Sequence, residues 1–123
     1  MILTDLQSAI QEAVRAWAQD RVRPNAQSWE AAGAYPSEVF ESLADLGLMG
    51  MTAPEAYGGA EADYVSYALA LTELAAGDGG LSTIVSVHNA PVIAASTALA
   101  AGARVPPALP HRTHYRHPAW RPR

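Results

Sequence analysis

The chain has 123 residues, of which half are hydrophobic, and it carries a formal net charge of -4 with no cysteine and no lysine. This length supports one domain with a modest core, and the lack of cysteine excludes disulfides and thiolate metal sites. All 12 acidic residues lie at or before Asp78. An acidic body does not suit phosphate contacts, so we predict no nucleic-acid partner.

The first predicted helix begins with a capping box formed by Thr4 and Gln7. Its apolar residues recur at helical spacing and predict one buried face. Pro24 is expected in the first turn of a second, shorter helix that Gly33 ends. The residues of the predicted buried face are Leu6, Ile10, Ala13, Val14 and Trp17.

A third helix is predicted to begin at Pro36-Ser37, with Glu38 near its positive end. Gly47 is expected to stop this helix in the left-handed conformation, and Leu48 to fold back onto its last turn. The segment 50–62 is then predicted to be a loop. The apolar face of this helix comprises Val39, Phe40, Leu43 and Leu46.

Asp63 is predicted to cap a fourth helix that runs to about Ala76 and is apolar almost all round. Such a helix is buried on more than one side, which suggests a surface for a partner domain. After a glycine-rich break, a fifth helix is predicted from about Leu81 to Ala101, with a kink near Pro91.

The segment Leu81–Ala101 carries no formal charge and is long enough to span a bilayer. Its serine, threonine, histidine, asparagine and proline residues make it a poor membrane helix, so we predict a buried core helix and no membrane span. The amino terminus lacks the basic and apolar regions of a signal peptide. These features predict a cytoplasmic protein.

Residues 103–123 contain five of the nine prolines and no apolar periodicity, so we predict a disordered tail. His111, His114 and His117 recur every third residue and allow a metal-binding interpretation. Neighbouring arginines and prolines favour an unstructured tail instead, and we predict no metal site.

No catalytic constellation is evident elsewhere. His88 stands among apolar residues, as a core or interface histidine does, and Glu41 and Asp45 are expected on a solvated helix face. The two glycine-rich segments lack the G-x-G-x-x-G spacing and the preceding strand of a dinucleotide loop. The residues alone therefore predict a small all-α domain of about five helices without an active site.

An ordered series of motifs, which covers Asp5 to about Ala101, resembles the amino-terminal helical domain of acyl-CoA dehydrogenases. Glu61 departs from the resemblance where a glycine is usual, and a positive φ at this site would either strain the loop or alter its path. Ala90-Pro91 is a second departure. The motifs are Val22-Arg23-Pro24, Tyr35-Pro36, Leu46-Gly47-Leu48-Met49-Gly50, Pro54-Glu55-Ala56-Tyr57-Gly58-Gly59, Asp63, Glu73-Leu74-Ala75, Asp78 and Val87-His88-Asn89.

In that family, an acyl-CoA thioester loses its α-proton to a glutamate while the β-hydride passes to the flavin of FAD. The resemblance places the glutamate in a carboxy-terminal helical domain, and the FAD contacts in that domain and a middle β domain. It therefore implies no catalytic and no cofactor-binding residue in this chain, which is expected to be truncated, inactive alone and free of FAD. The implied partners are the missing domains or a homo-oligomer.

By the same resemblance, the helix after Asp78 helps to wall the fatty-acyl pocket. The candidate substrate-binding residues share one helical face, and packing within the domain core is the alternative for them. The domain is expected to span residues 1–102. Since the family pattern stops near Gly102, the tail is interpreted as an out-of-frame translation, and a free-standing helical interaction module is the alternative function. The candidate pocket residues are Thr83, Ile84, Val87 and Pro91.

Overall fold

The computed structural model describes residues 2–102, and within them every regular element is a helix. The predicted all-α fold is therefore confirmed for this range. The predicted fifth helix consists of two α-helices joined by a π-helical turn. The α-helices are α1 (Asp5–Trp17), α2 (Ala26–Ala32), α3 (Ser37–Asp45), α4 (Tyr64–Gly77), α5 (Gly79–Val87) and α6 (Ala94–Gly102); π-helical turns occupy Ala18–Val22 and His88–Ile93, and 3₁₀ turns occupy Leu48–Gly50 and Glu55–Tyr57.

Most of the predicted helix ends are confirmed. The Thr4 and Gln7 side chains bond reciprocally to each other's backbone N–H groups at 3.2 and 3.0 Å, which completes the capping box of α1. Gly33 and Gly47 adopt left-handed φ values of 67° and 76° where α2 and α3 end. Leu48 is fully buried directly after Gly47. Local sequence therefore defines these ends.

The prediction that Pro24 begins the second helix is wrong. Pro24 lies in a turn between the π-helical end of α1 and the start of α2. The Asn25 N–H donates to the Val22 carbonyl at 3.0 Å and closes this turn, so that Asn25 occupies the N-cap position of α2. Because proline has no N–H, it cannot continue the ladder of α1 and is accommodated in the turn.

The core lies between α1, α4 and α5, and α4 packs between the other two. This arrangement explains why α4 is apolar on more than one side. The predicted face of α3 is confirmed, whereas in α1 Ile10 and Val14 are buried but Leu6 and Ala13 are exposed. The largest fully buried side chains are Val14, Val22, Leu43, Leu48, Met51, Leu74, Leu81 and Val85.

The prediction of a buried core helix after Asp78 is correct for one face only. Leu81, Val85 and Asn89 point into the domain, and most of the remaining surface of Gly79–Gly102 is exposed. By length and composition alone, this segment is the one stretch within residues 2–102 that could cross a membrane. That criterion is weak evidence, since core helices of soluble proteins also meet it.

Predictions for the tail 103–123, which include its disorder, its reading frame and the histidines His111, His114 and His117, lie outside the described residues.

Candidate functional site

The four candidate pocket residues lie together on the outward face of α5 and the π-helical turn. Val87 is 51% exposed and Ile84 is 37% exposed, and Thr83 and Pro91 are exposed as well. The Thr83 hydroxyl donates to the Gly79 carbonyl at 2.9 Å, so its hydrogen bond lies within α5 and not in the domain core. The alternative that these residues pack within the domain core is therefore wrong.

The opposite face of the same segment is closed by the domain. Leu81 and Val85 are fully buried, and Asn89 is fully buried one turn further on. Their spacing of four residues places them on one side of the helix, whereas Ile84 and Val87 lie roughly a quarter to a half of a turn away. One helix thus presents a packed face and an open apolar face.

Asn89 joins this helix to the loop that follows α3. Its Oδ1 accepts hydrogen bonds from the backbone N–H groups of Met51 at 2.8 Å and Thr52 at 3.4 Å. Its Nδ2 donates to the carbonyls of Leu48 at 2.7 Å and Val85 at 3.0 Å. Both donors and both acceptor positions of a single buried amide are used. Asn89 therefore fixes the height and rotation of the helix relative to the loop.

The π-helical turn His88–Ile93 surrounds Pro91, near which the sequence predicts a kink. Proline has no N–H to complete the regular ladder, and a π-helical turn is a common way to absorb such an interruption. The side chain of Asn89 reaches the Val85 carbonyl, four residues earlier in the chain. The turn therefore keeps Asn89 inward while Pro91 stays on the exposed side.

The loop 50–62 is held against itself as a compact unit. The N–H groups of Ala60 and Ala62 donate to the carbonyls of Gly50 and Met51, each at 2.9 Å. A Cβ on Gly59 would collide with the carbonyl oxygen of Ala53. Glu61 is the one non-glycine residue with positive φ, 47°, within residues 2–102, which confirms the predicted positive φ at this departure from the family pattern; such a backbone conformation is unfavourable for a residue with a Cβ.

The carboxylates of Asp63, which caps α4, and of Glu73, on α4 itself, have structural roles. Asp63 accepts bonds from the N–H groups of Val65 and Ser66 at 2.9 and 3.0 Å, and the bond from the Ser66 backbone is the main reason that the Asp63 pKa is lowered. The Arg15 guanidinium lies 2.8 Å from Glu73 and holds the pKa of that carboxyl below its usual value. Both groups stay ionised as helix cap and ion pair, so neither is suited to act as a general base near neutral pH.

The buried polar side chains of the described residues are used within the domain itself. Within residues 2–102, every buried side-chain nitrogen or oxygen has a hydrogen-bond partner. The same range contains no group of three histidine, cysteine or acidic residues that could hold a metal ion. His88 is half-buried and has interactions, and Glu41 and Asp45 are exposed as predicted.

Asn89 is the residue whose role the sequence reasoning missed. Two motifs that are separate in the sequence are connected by the hydrogen bonds of Asn89. They are Val87-His88-Asn89 and Leu46-Gly47-Leu48-Met49-Gly50, and their connection is the joint between the helix and the loop. A signal was present, because Asn89 continues the four-residue spacing of Leu81 and Val85 on an apolar face. A polar side chain in that register implies buried hydrogen-bond partners.

Known proteins of one family match most of the described range. The family profile described as acyl-CoA dehydrogenase, N-terminal domain, matches residues 4–103. The chain is 39% identical over 87 residues to the probable acyl-CoA dehydrogenase YngJ of Bacillus subtilis, and 37% identical over 87 residues to the benzylmalonyl-CoA dehydrogenase of Aromatoleum aromaticum. These matches cover 69% and 71% of this chain and 23% of each relative.

A structure solved in work on the electron transferring flavoprotein of Acidaminococcus fermentans and flavin-based electron bifurcation shares the fold. The TM-score is 0.66 and the sequence identity 28%, with 71% of this chain and 23% of the other chain covered. The chain thus spans less than a quarter of the length of the proteins it resembles. Sequence and fold agree that the chain belongs to the acyl-CoA dehydrogenase family and corresponds to its N-terminal helical domain.

Proposed function

We propose that this chain supplies the helical wall of the acyl-binding pocket in an FAD-dependent dehydrogenase of acyl-CoA thioesters. The main support for this proposal is an open helix face that is apolar apart from one hydroxyl and faces away from the chain's own core. It is formed by Thr83, Ile84, Val87 and Pro91. A fatty-acyl chain needs such a surface, because apolar walls supply most of its binding free energy.

Rigid support of this face favours the same role. Asn89 lies two residues before Pro91 in the sequence, and its side chain is fixed by four hydrogen bonds to the backbone. A pocket wall discriminates between acyl chains only when its position is fixed to a fraction of an ångström. The buried joint therefore provides the rigidity that the open face lacks by itself.

The family is FAD-dependent, and FAD together with the reacting glutamate is proposed to come from the middle β and carboxy-terminal helical domains. We therefore expect the chain by itself to bind no FAD and to oxidise no acyl-CoA. The cytoplasmic location stays a prediction from the sequence.

A chimaera tests the proposal. Residues 4–102 replace the matching segment of the Bacillus subtilis relative, and FAD content and the acyl-CoA-dependent bleaching of flavin absorbance are measured with acyl chains of increasing length. We expect bound FAD and bleaching. Val87→Phe should fill the pocket and shift the preference towards shorter acyl chains by about tenfold or more in kcat/KM per excluded methylene.

Val65→Phe is the matched control, since Val65 has the same side chain, is 37% exposed and lies on α4. It should leave the chain-length preference unchanged. Equal effects of both substitutions, or a flavin-loaded chimaera that no acyl-CoA bleaches, would contradict the proposal. The alternative, a free-standing interaction module, predicts a stable dimer of the isolated chain that Val87→Glu dissociates, together with an inactive chimaera.

A further inference from the structure

A second surface feature lies beyond the amino end of α5 and is not part of the proposed acyl wall. It is a cleft of about 570 Å³ between α2, the turn that follows it and the start of α5. Aromatic rings, two carboxylates and glycine backbone meet there. Its lining includes Trp29, Glu30, Tyr35, Asp78, Gly79 and Gly80.

The aromatic part of this cleft is held in a fixed geometry. The rings of Trp29 and Tyr35 meet edge to face with centroids 5.6 Å apart. The Tyr35 hydroxyl donates to Asp78 Oδ1 at 3.0 Å, and the same oxygen accepts the Leu81 N–H at 2.9 Å. A Cβ on Gly80 would lie 2.6 Å from the Tyr35 hydroxyl, so glycine is required there for this arrangement.

The carboxylates of the cleft are not neutralised by the described part of the chain. The ion pairs within residues 2–102 are Arg15–Glu73 and Arg21–Asp20, and neither Glu30 nor Asp78 takes part in one. Two aromatic rings beside two carboxylates form a site for a guanidinium group, which stacks on rings and donates in a planar fork to carboxylates. A guanidinium group would therefore suit the lining of this cleft.

The charge distribution of the chain offers a source for such a guanidinium group. Residues 1–102 hold all 12 acidic residues and three arginines, whereas residues 103–123 hold five arginines and no acidic residue. We propose that the cleft binds an arginine side chain from segment 103–123 of the same chain. Such binding would shield Trp29 and Tyr35 from solvent.

The length of the chain decides which arginines can reach. The helical segment Gly79–Gly102 is 24 residues long, so its far end lies at most about 35 Å from the cleft. An extended chain covers about 3.3 to 3.6 Å per residue, so Arg104 falls far short and Arg112 barely spans the distance. Arg116, Arg121 and Arg123 reach it with slack.

A spin label tests this placement directly. The full chain has no cysteine, so Ala119→Cys gives a single attachment site between Arg116 and Arg121. In the ¹H–¹⁵N NMR spectrum, we expect the label to broaden the amide signals of Gly79 and Gly80 and the indole signal of Trp29. Salt at 1 M should weaken the broadening, since the Debye length is then about 3 Å.

Matched variants separate the proposal from non-specific attraction. Changing Arg116, Arg121 and Arg123 together to glutamine should abolish the broadening, whereas Arg104→Gln should preserve it. Glu30→Gln should weaken it, and Glu41→Gln, at an exposed acid on α3, should not. A free-arginine titration of the triple variant provides a second measurement, in which Gly79 and Gly80 should shift saturably and more than with lysine.

Three results would overturn the proposal. The first is unaltered Gly79 and Gly80 signals in the labelled chain. The second is broadening that survives in the triple arginine variant. The third concerns a mixture of two chains, one ¹⁵N-labelled without a spin label and the other spin-labelled without ¹⁵N. If the amide signals broaden as much in this mixture as in the chain that carries both labels, a second copy binds instead.

Discussion

The two faces of the Gly79–Gly102 segment differ in what covers them. The inner face, with Leu81, Val85 and Asn89, is closed by this chain's own helices and loop, whereas the outer face, with Ile84 and Val87, is open. Both faces are apolar, so hydrophobicity alone does not distinguish them. An apolar residue on a helix can therefore be needed for stability or be available for binding, and only the fold separates these two roles.

The largest effect should come from truncating a matched pair of residues on the two faces. Leu81 is fully buried, so Leu81→Ala should lower the free energy of unfolding by about 3 to 4 kcal/mol. Ile84→Ala should cost only about 0.5 kcal/mol because the side chain is already partly in water. Urea unfolding of the two variants measures both values. Equal losses would mean that the outer face also contributes to the core.

A somewhat smaller effect is expected at the joint beneath the open face. Asn89→Ala leaves buried backbone groups of Met51 and Leu48 without partners, and it should lower the free energy of unfolding by about 2 to 3 kcal/mol. The amide of Met51 should also lose protection from hydrogen exchange.

Asn25→Ala is the control for this substitution. Asn25 also donates its side chain to a backbone carbonyl, that of Arg21 at 2.8 Å, but at an exposed position. We expect a loss of about 0.5 kcal/mol or less there. A similar loss for both asparagines would contradict the role assigned to Asn89.

The smallest effect should be a gain in stability in the loop that closes the inner face. Glu61 adopts a φ of 47°, which disfavours every residue with a Cβ, so Glu61→Gly should raise the free energy of unfolding by about 0.5 kcal/mol. Glu61→Ala removes the same carboxylate and keeps the strain, and it should give no gain. If alanine stabilises as much as glycine, the charge and not the backbone is the cause.

The sequence predicted the helices whose ends carry local chemical signals. Thr4 with Gln7, Asp63 and Gly47 each define an end through a cap that a few neighbouring residues determine. The prediction for Pro24 is wrong because proline suits both a turn and a first helical turn, and the structure closes a turn there through the Asn25 N–H and the Val22 carbonyl.

The candidate site was predictable as a face but not in its surroundings. Helical spacing correctly grouped Ile84 with Val87, but it could not tell whether core or open space lay beside them. The reason is that exposure depends on residues distant in the chain. The joint at Asn89 was missed for the same reason, since its partners Leu48 and Met51 lie about 40 residues earlier in the chain.

The helical segment between Asp78 and Asn89 is hydrogen-bonded to the rest of the domain at both ends. Asp78 accepts a hydrogen bond from Tyr35, and Asn89 accepts one from Met51 in the loop after α3. Inserting or deleting one residue between them would turn Asn89 by about 100° and move it about 1.5 Å along the axis. The number of residues between Asp78 and Asn89 is therefore fixed, and insertions or deletions in this domain should be tolerated only outside that segment.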